Sequence, residues 1–298
     1  MGSTLFSDAM ALRQVEHSGR TGIYDAELNE HWTVGPKLHG GVMMALCAAA
    51  ARTAHGTART ARTAHGTART AHGTANTAHT GSMQPIAVST SYLSAPAPGR
   101  LRVHTFVRKP GRRVSVVDVE LVQNDRAAVH AVVTLGEPEH HVPPLLTVKP
   151  AVALMSPEPP PDIDPIGPDH PMAGTFNFAE GCDIRPLMSS VRTEGTSAGK
   201  PPVIQIWVRP RGMAPDILFA LMCGDISMPV TFAVGRTGWA PTVQLTAYLR
   251  GLPADGWLRV VCTTTQIGQD WFDEDHTVVD CEGRIIVQTR QLALLPRH

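Results

Sequence analysis

Two hydrophobic patterns alternate along the chain. Residues 42–51 (VMMALCAAAA) follow His39-Gly40-Gly41 and are apolar all round, which predicts a buried helix beginning near the glycines. Four runs with β-branched residues and period-two alternation come next, at 86–93, 101–108, 113–122 and 127–135. Pro-Gly and Asn-Asp turn signals separate them, so they predict strands. The order then recurs, with a helix around 215–230 and strands at 242–250, 257–266, 277–281 and 284–294. One helix per antiparallel sheet, used twice, is an α+β pattern. Two such sheets set side by side would pair their edges and bury both helices, removing an exposed edge strand.

A faint internal repeat supports that division. Pro85 precedes Tyr92-Leu93 by seven residues and Pro241 precedes Tyr248-Leu249 by the same spacing; Leu101-Arg102-Val103 and Leu258-Arg259-Val260 follow. Downstream, 124–135 echoes 281–294, with Arg126 against Arg284. Between the halves, the proline density of 137–174 suits neither a helix nor a central strand and reads as a linker. The expected organisation is therefore a first module over 1–136, a linker over 137–174 and a second module over 175–298. Within the first module, 51–80 is low-complexity: ARTAHGTART occurs at 51 and again at 61, and TAHGTA begins at 70. We read it as a tandem expansion in a loop, with Gly56, Gly66 and Gly73 breaking any helix. His65, His72 and His79 stand seven apart, a spacing that invites a metal, but the expansion explains it as well.

With 298 residues, 43% hydrophobic and 17% charged, the composition is that of a globular protein. The longest apolar run is ten residues, about half of the roughly 20 a spanning helix needs. The N-terminus lacks a secretory pattern, so a cytoplasmic protein without a membrane association is expected. Five cysteines with no Cys-x-x-Cys pair exclude a disulfide scaffold and a zinc ribbon. No metal-ligand spacing stands out, and neither a metal nor a cofactor is expected. Net charge is zero, but no Asp or Glu falls between His31 and Val117, where eleven Lys and Arg do. Such a field suits an anionic ligand as well as a solvated face. Nucleic acid is not expected, because the basic residues form no stripe interleaved with aromatics.

The strings HWTVGPKLHGGVMMALCAAAA, PIAVSTSYLSAPAPGRLRVHTFVRKPGRRVSVVDVEL, GWAPTVQLTAYLRGLPADGWL and EGRIIVQTRQLAL resemble the double-hotdog acyl-CoA thioesterases of the thioesterase II type. That resemblance covers nearly all of the chain outside the repeat and the linker. It implies a tandem hotdog, two curved antiparallel sheets each wrapped around a central helix, and hydrolysis of acyl-CoA to free acid and CoA. It further implies an Asp, Thr and Gln group holding a water. Position by position these fall on Asp225 in LMCGD, Thr242 in APTVQL and Gln291 in TRQLAL. Departures are Val243, Gln244 and Leu245 where the family has acidic and histidine residues, and Pro229 inside the expected helix. A one-residue gap before Trp257 keeps Thr246 as an alternative to Thr242.

The chemistry is economical. A thiol of pKa about 8.5 leaves without a strong acid, so the task is to activate water and hold an oxyanion. A buried Asp with a raised pKa can take the proton while Thr and Gln orient the water. His39, Gly40 and Gly41 at a helix N-terminus are candidates for oxyanion or substrate binding. Arg108, Lys109, Arg112 and Arg113 could meet CoA phosphates or form a solvated hairpin. Met43, Met44 and Met213 could line an acyl tunnel or fill core. Matching the halves through Pro85 and Pro241 sets Ile86 against Thr242, and matching through Arg126 and Arg284 sets Val133 against Gln291, both apolar, so one site per chain follows.

Each candidate also has a plainer reading: Asp225 as a helix cap, Thr242 as a strand former, Gln291 on a wet face. A hydratase would need Asp-x4-His at the central helix, and the one such pair, Asp125 and His130, sits on a predicted hairpin. No Gly-x-Ser-x-Gly elbow is present. The rival from another class is a catalytically silent acyl-CoA-binding or interaction protein of the same fold. Paired modules with free outer edges also suggest a homo-oligomer.

Overall fold

The computed structural model describes residues 3–66, 83–139, 142–148, 155–191 and 202–296, with backbone only for 59–66. A short helix α1 (Leu5–Ala9) leads into strands β1 (Arg13–Ser18) and β2 (Thr21–Leu28), a small hairpin β3 (Thr33–Val34) and β4 (Lys37–Leu38), and the long helix α2 (Gly40–Gly66). Strands β5 (Gln84–Tyr92), β6 (Gly99–Lys109), β7 (Val114–Gln123) and β8 (Arg126–Gly136) complete the first half. The second half comprises β9 (Cys182–Pro186), β10 (Val203–Pro210), helix α3 (Ile217–Cys223), β11 (Thr242–Leu249), β12 (Leu258–Thr263), β13 (Trp271–Val279) and β14 (Ile285–Leu294).

Twelve of these strands form one sheet, in the order β1-β2-β6-β7-β8-β5-β11-β14-β13-β12-β10-β9. Read inward from either end, the order is the same in each half. The halves join where β5 and β11 pair antiparallel, and Ser89 faces Thr246 at the centre of that pairing. Strand alternation sets which face is dry. On β6, Leu101, Val103, Thr105 and Val107 are buried while Arg100, Arg102, His104 and Arg108 point outward, as in a sheet wet on one side. The dry face packs on α2, whose residues 42–51 are all buried. Their small side chains let the helix lie close to β5–β8 and to α3.

Several expectations need correction. Strands β1, β2, β9 and β10, which precede each helix, were not anticipated. The first part of the repeat is helical, because α2 continues through Gly56 to Gly66; the roughly 1 kcal/mol cost of an interior glycine is small beside the packing of the preceding turns. His72 and His79 lie outside the described residues. The second helix is much shorter than 215–230: Asp216 caps its start by accepting from the Phe219 N–H at 2.8 Å, and Gly224 caps its end. Pro229 therefore kinks nothing and instead begins a 3-10 turn, Val230–Val234. Strand β13 starts at Trp271, six residues before the expected 277.

Register between the halves also differs from the sequence matching. Pro85 pairs with Leu135 and Ala87 with Thr134, while Thr242 pairs with Ala293 and Gln244 with Leu292. Each strand thus carries a bulge, at Ile86 and at Val243, and the counterpart of Thr242 is Pro85 rather than Ile86. Val133 remains the counterpart of Gln291, since they pair with Val88 and Leu245.

Part of the expected linker is docked rather than free. Met155 and Ile163 pack with Trp207, Trp257, Val261 and Val279. The Met155 and Ser156 carbonyls accept from Arg259 at 2.8 Å and from the Trp207 indole at 2.9 Å.

Candidate active site

A cavity of about 540 Å³ opens where the start of α2, the turn after α3 and the first residues of β11 meet. Its polar wall includes His39, Gly40, Asp225, Thr242, Glu274 and Gln291; Met43, Phe176, Phe232, Trp239 and Phe272 supply apolar wall. Three groups anticipated on separate segments, Asp225, Thr242 and Gln291, line this one space.

Asp225 follows the C-cap glycine of α3, and its N–H returns to the Met222 carbonyl at 3.1 Å. It is therefore neither within a helix nor an N-cap. The two glycines of α2 let the helix approach this turn. A Cβ on Gly40 would lie 2.7 Å from Asp225 Oδ2, and one on Gly41 would lie 2.5 Å from the Met222 carbonyl oxygen. Burial raises the Asp225 pKa, opposed by His39 and by the hydrogen bond from the Gly41 N–H.

His39 has both ring nitrogens engaged. Nδ1 accepts from the Val42 N–H at 3.3 Å, which places the ring proton on Nε2. Nε2 in turn lies 2.8 Å from the Asp225 carbonyl oxygen and 3.4 Å from its Oδ2. Its donor is turned to Asp225, so the expected oxyanion role does not fit His39. Gly41 likewise spends its N–H on Asp225. Of the three expected residues, Gly40 alone keeps a free claim to that role.

The bulge at Val243 matters for Thr242. Leu245 and Gln291 are paired and both buried, so a regular strand would turn a residue three before Leu245 to the other face. One extra residue returns Thr242 to the cavity, where its hydroxyl donates to Gln291 Oε1 at 3.0 Å. Thr246 contacts Ser89 at 3.3 Å and does not line the cavity.

Glu274, Tyr92, Ser227 and His276 were not anticipated. Glu274 sits opposite Gln291 in the β13–β14 register. It accepts from Gln291 Nε2 and from the Val230 N–H, the latter at 2.6 Å. Burial pushes its pKa to about 8, with the Val230 hydrogen bond opposing and Asp225 adding to the rise. The Tyr92 hydroxyl donates to the Gly40 carbonyl at 2.9 Å, and burial holds the phenol neutral. His276 Nε2 lies 2.9 Å from Ser227 Oγ, and burial lowers the imidazole pKa to about 3. Phe272, Glu274, His276 and Val278 alternate on one face; recognising the strand from Trp271 would have shown two ionisable groups in a buried row.

Cys262, Glu274 and His276 bring potential ligand atoms within 4.8 Å of one another. Glu274 already holds two donors and His276 Nε2 is paired with Ser227, while His276 Nδ1 is buried without a hydrogen-bond partner. The basic cluster stands elsewhere. Lys109 pairs with Val116, Val114 with Gly136, and Gly136 with Gln84, which puts Arg108, Lys109, Arg112 and Arg113 by the far end of β5. Tyr92 lies eight residues on, about 26 Å at 3.3 Å per residue, and none of the four lines the cavity. Arg108 is paired with Asp118. Of the three methionines, Met43 lines the cavity, Met44 is core, and Met213 lines a separate depression near Arg209.

Comparison with known proteins bears on the fold and the family. The chain has the fold of a hotdog protein: a structure from Alicyclobacillus acidocaldarius, a conserved protein of unknown function with that fold, superposes with a TM-score of 0.69 at 16% identity, covering 100% of both chains. An acyl-CoA thioesterase II from Mycobacterium marinum superposes with a TM-score of 0.64 at 15% identity over 98% of each chain. Family models for the acyl-CoA thioesterase N-terminal and C-terminal domains match residues 28–136 and 157–295. An uncharacterized protein of Mycobacterium tuberculosis is 57% identical over 99% of each chain. The chain belongs to the acyl-CoA thioesterase family.

Proposed function

We propose that this protein is a tandem hotdog that hydrolyses acyl-CoA thioesters to free acid and CoA at one site per chain. Its modules would be 1–136 and 175–298, joined through 137–174, acting in the cytoplasm. The observation that carries this reading is the single cavity on which Asp225, Thr242, Gln291 and the start of α2 converge beside an apolar wall suited to an acyl chain.

In the reaction, Asp225 takes a proton from a water that Thr242 and Gln291 orient, and the water oxygen attacks the thioester carbonyl. The carbonyl oxygen gains the negative charge and is met by the Gly40 N–H at the α2 N-terminus. Collapse of the intermediate breaks the carbon–sulfur bond, and the CoA thiolate takes the proton held by Asp225. His39 aligns Asp225 from behind. Burial that raises the Asp225 pKa makes it a better base than an exposed carboxylate.

The test is thiol release from short, medium and long acyl-CoAs, with wild type beside Asp225→Asn. Release that requires Asp225 supports the reading. Binding of acyl-CoA without release by the wild type would favour a silent binding protein.

A further inference from the structure

Glu274 is an acceptor-only group while ionised, and it stands at the end of a hydrogen-bond chain that runs through Gln291 to Thr242 on the cavity wall. It is 2% exposed. One carboxylate oxygen takes the Val230 N–H at 2.6 Å and the other takes Gln291 Nε2. An amide that gives its nitrogen to a carboxylate presents its oxygen on the other side, and there the Thr242 hydroxyl donates at 3.0 Å. Thr242 has then spent its one proton, so toward the cavity its oxygen can only accept. A water between Asp225 and Thr242 must donate a hydrogen to each, which leaves its lone pairs for the thioester carbon.

Adding a proton to Glu274 reverses the chain. The carboxylic O–H donates to Gln291 Oε1, the amide turns its nitrogen to Thr242, and the freed Thr242 hydroxyl donates to the water. That donation occupies one of the water's two lone pairs and turns a hydrogen away from Thr242, so the water is no longer held as a double donor.

We propose that Glu274 is a positioning residue whose carboxylate fixes the direction of the Glu274–Gln291–Thr242 chain, so that the reacting water is held as a double donor. The proposal rests on the Asp225, Thr242 and Gln291 reading above. Nothing in the resemblance of the sequence assigns a role to this position.

The reversal falls in an accessible pH range, since burial pushes Glu274 to about 8. The groups that act on it are Asp225 from the turn after α3, the Val230 N–H, Asp273 on the other face of β13 and Gln291 on β14, with Cys262 on β12 and His276 on β13 within 4.8 Å. His276 stays neutral throughout, with a pKa of about 3. Asp225 and Glu274 each raise the cost of ionising the other, so their protons leave as a coupled pair.

The experiment compares kcat and KM of wild type, Glu274→Gln, Glu274→Asp and Asp225→Asn from about pH 6 to about pH 9, with a thermal melt of each variant to establish folding. A glutamine at 274 can donate to Gln291 Oε1 at every pH and locks the reversed direction. The expected kcat loss is about tenfold to a hundredfold near pH 9 and shrinks toward pH 6, with KM changed less than about twofold. Glu274→Asp keeps an acceptor-only group and retains the rise of kcat with pH. A ratio of wild type to Glu274→Gln that is flat with pH overturns the proposal, as does loss of the rise in a folded Glu274→Asp. Should Glu274→Gln fail to fold, the Glu274→Asp profile decides alone. Asp225→Asn separates the two readings: inactive Asp225→Asn with a flat Glu274→Gln ratio removes the role of Glu274 only, whereas unchanged turnover in Asp225→Asn removes both.

Discussion

The two halves share a strand order and differ in what they place at the seam. In the first half, α2 runs 27 residues from Gly40, and the positions matching Thr242 and Gln291 are Pro85 and Val133. In the second half, α3 lasts seven residues and gives way to Gly224 and Asp225. The first half supplies a helix N-terminus and small residues that permit approach. The second supplies the carboxylates, Thr242 and Gln291, while the His39 ring and the Gly41 N–H of the first half engage Asp225. A strand order used twice carries different residues at the seam, and both halves line the cavity.

The division can be broken most severely at Asp225. Asp225→Asn is expected to lower turnover by about a hundredfold or more, measured by thiol release, while the melting temperature holds. Next comes the approach of the halves: Gly41→Ala sets a methyl against the Met222 carbonyl, which cannot retreat without moving α3, and should lower both activity and melting temperature. Thr242→Val should cost about tenfold in kcat with little change in KM, and Thr246→Val almost nothing, which sharpens the assignment that the bulge makes between them.

A smaller effect lies in stability against pH. Glu274 holds its proton more tightly folded than unfolded, so between the ordinary carboxylate range and about pH 8 the folded chain binds a proton that the unfolded chain has released. Its contribution to stability is therefore lost as pH rises through that window, and chemical denaturation of Glu274→Gln should show a flatter dependence there. His276 has the opposite sign: with a folded pKa of about 3, it favours the folded state above the ordinary imidazole range and loses that contribution as pH falls. The least effect is expected at the basic hairpin, where Arg112→Ala and Arg113→Ala should leave kcat/KM for acyl-CoA unchanged.

Much of this comparison was legible in the sequence because strand alternation and the Leu-Arg-Val echo both survive in the structure. Asp225, Thr242 and Gln291 came from motif resemblance and do line one cavity. What the sequence hid has definite physical causes. The bulges at Ile86 and Val243 are counterparts and leave the offset between the halves constant, so the one-residue slip came from matching Pro85 with Pro241, which do not occupy equivalent places. The strands before each helix were missed; β1 is exposed almost throughout and carries no burial alternation to read. Glu274 escaped because Asp273-Glu274-Asp275-His276 looks like a solvated turn until the strand is started at Trp271. The basic hairpin looked suitable by charge, and charge along a sequence carries no information about which end of a strand it meets.

The β5–β11 seam, with Ser89 against Thr246 at its centre, bears on how the molecule could have diverged. Two identical single modules joined at such a seam would repeat every substitution on both sides of the axis, burying a second Asp, Thr, Gln and Glu where no use is made of them. Joining the modules in one polypeptide lifts that constraint. Mutations on one side of the axis are then free of their mirror images, and Pro85 and Val133 could remain ordinary sheet residues while their counterparts became polar residues of the cavity wall.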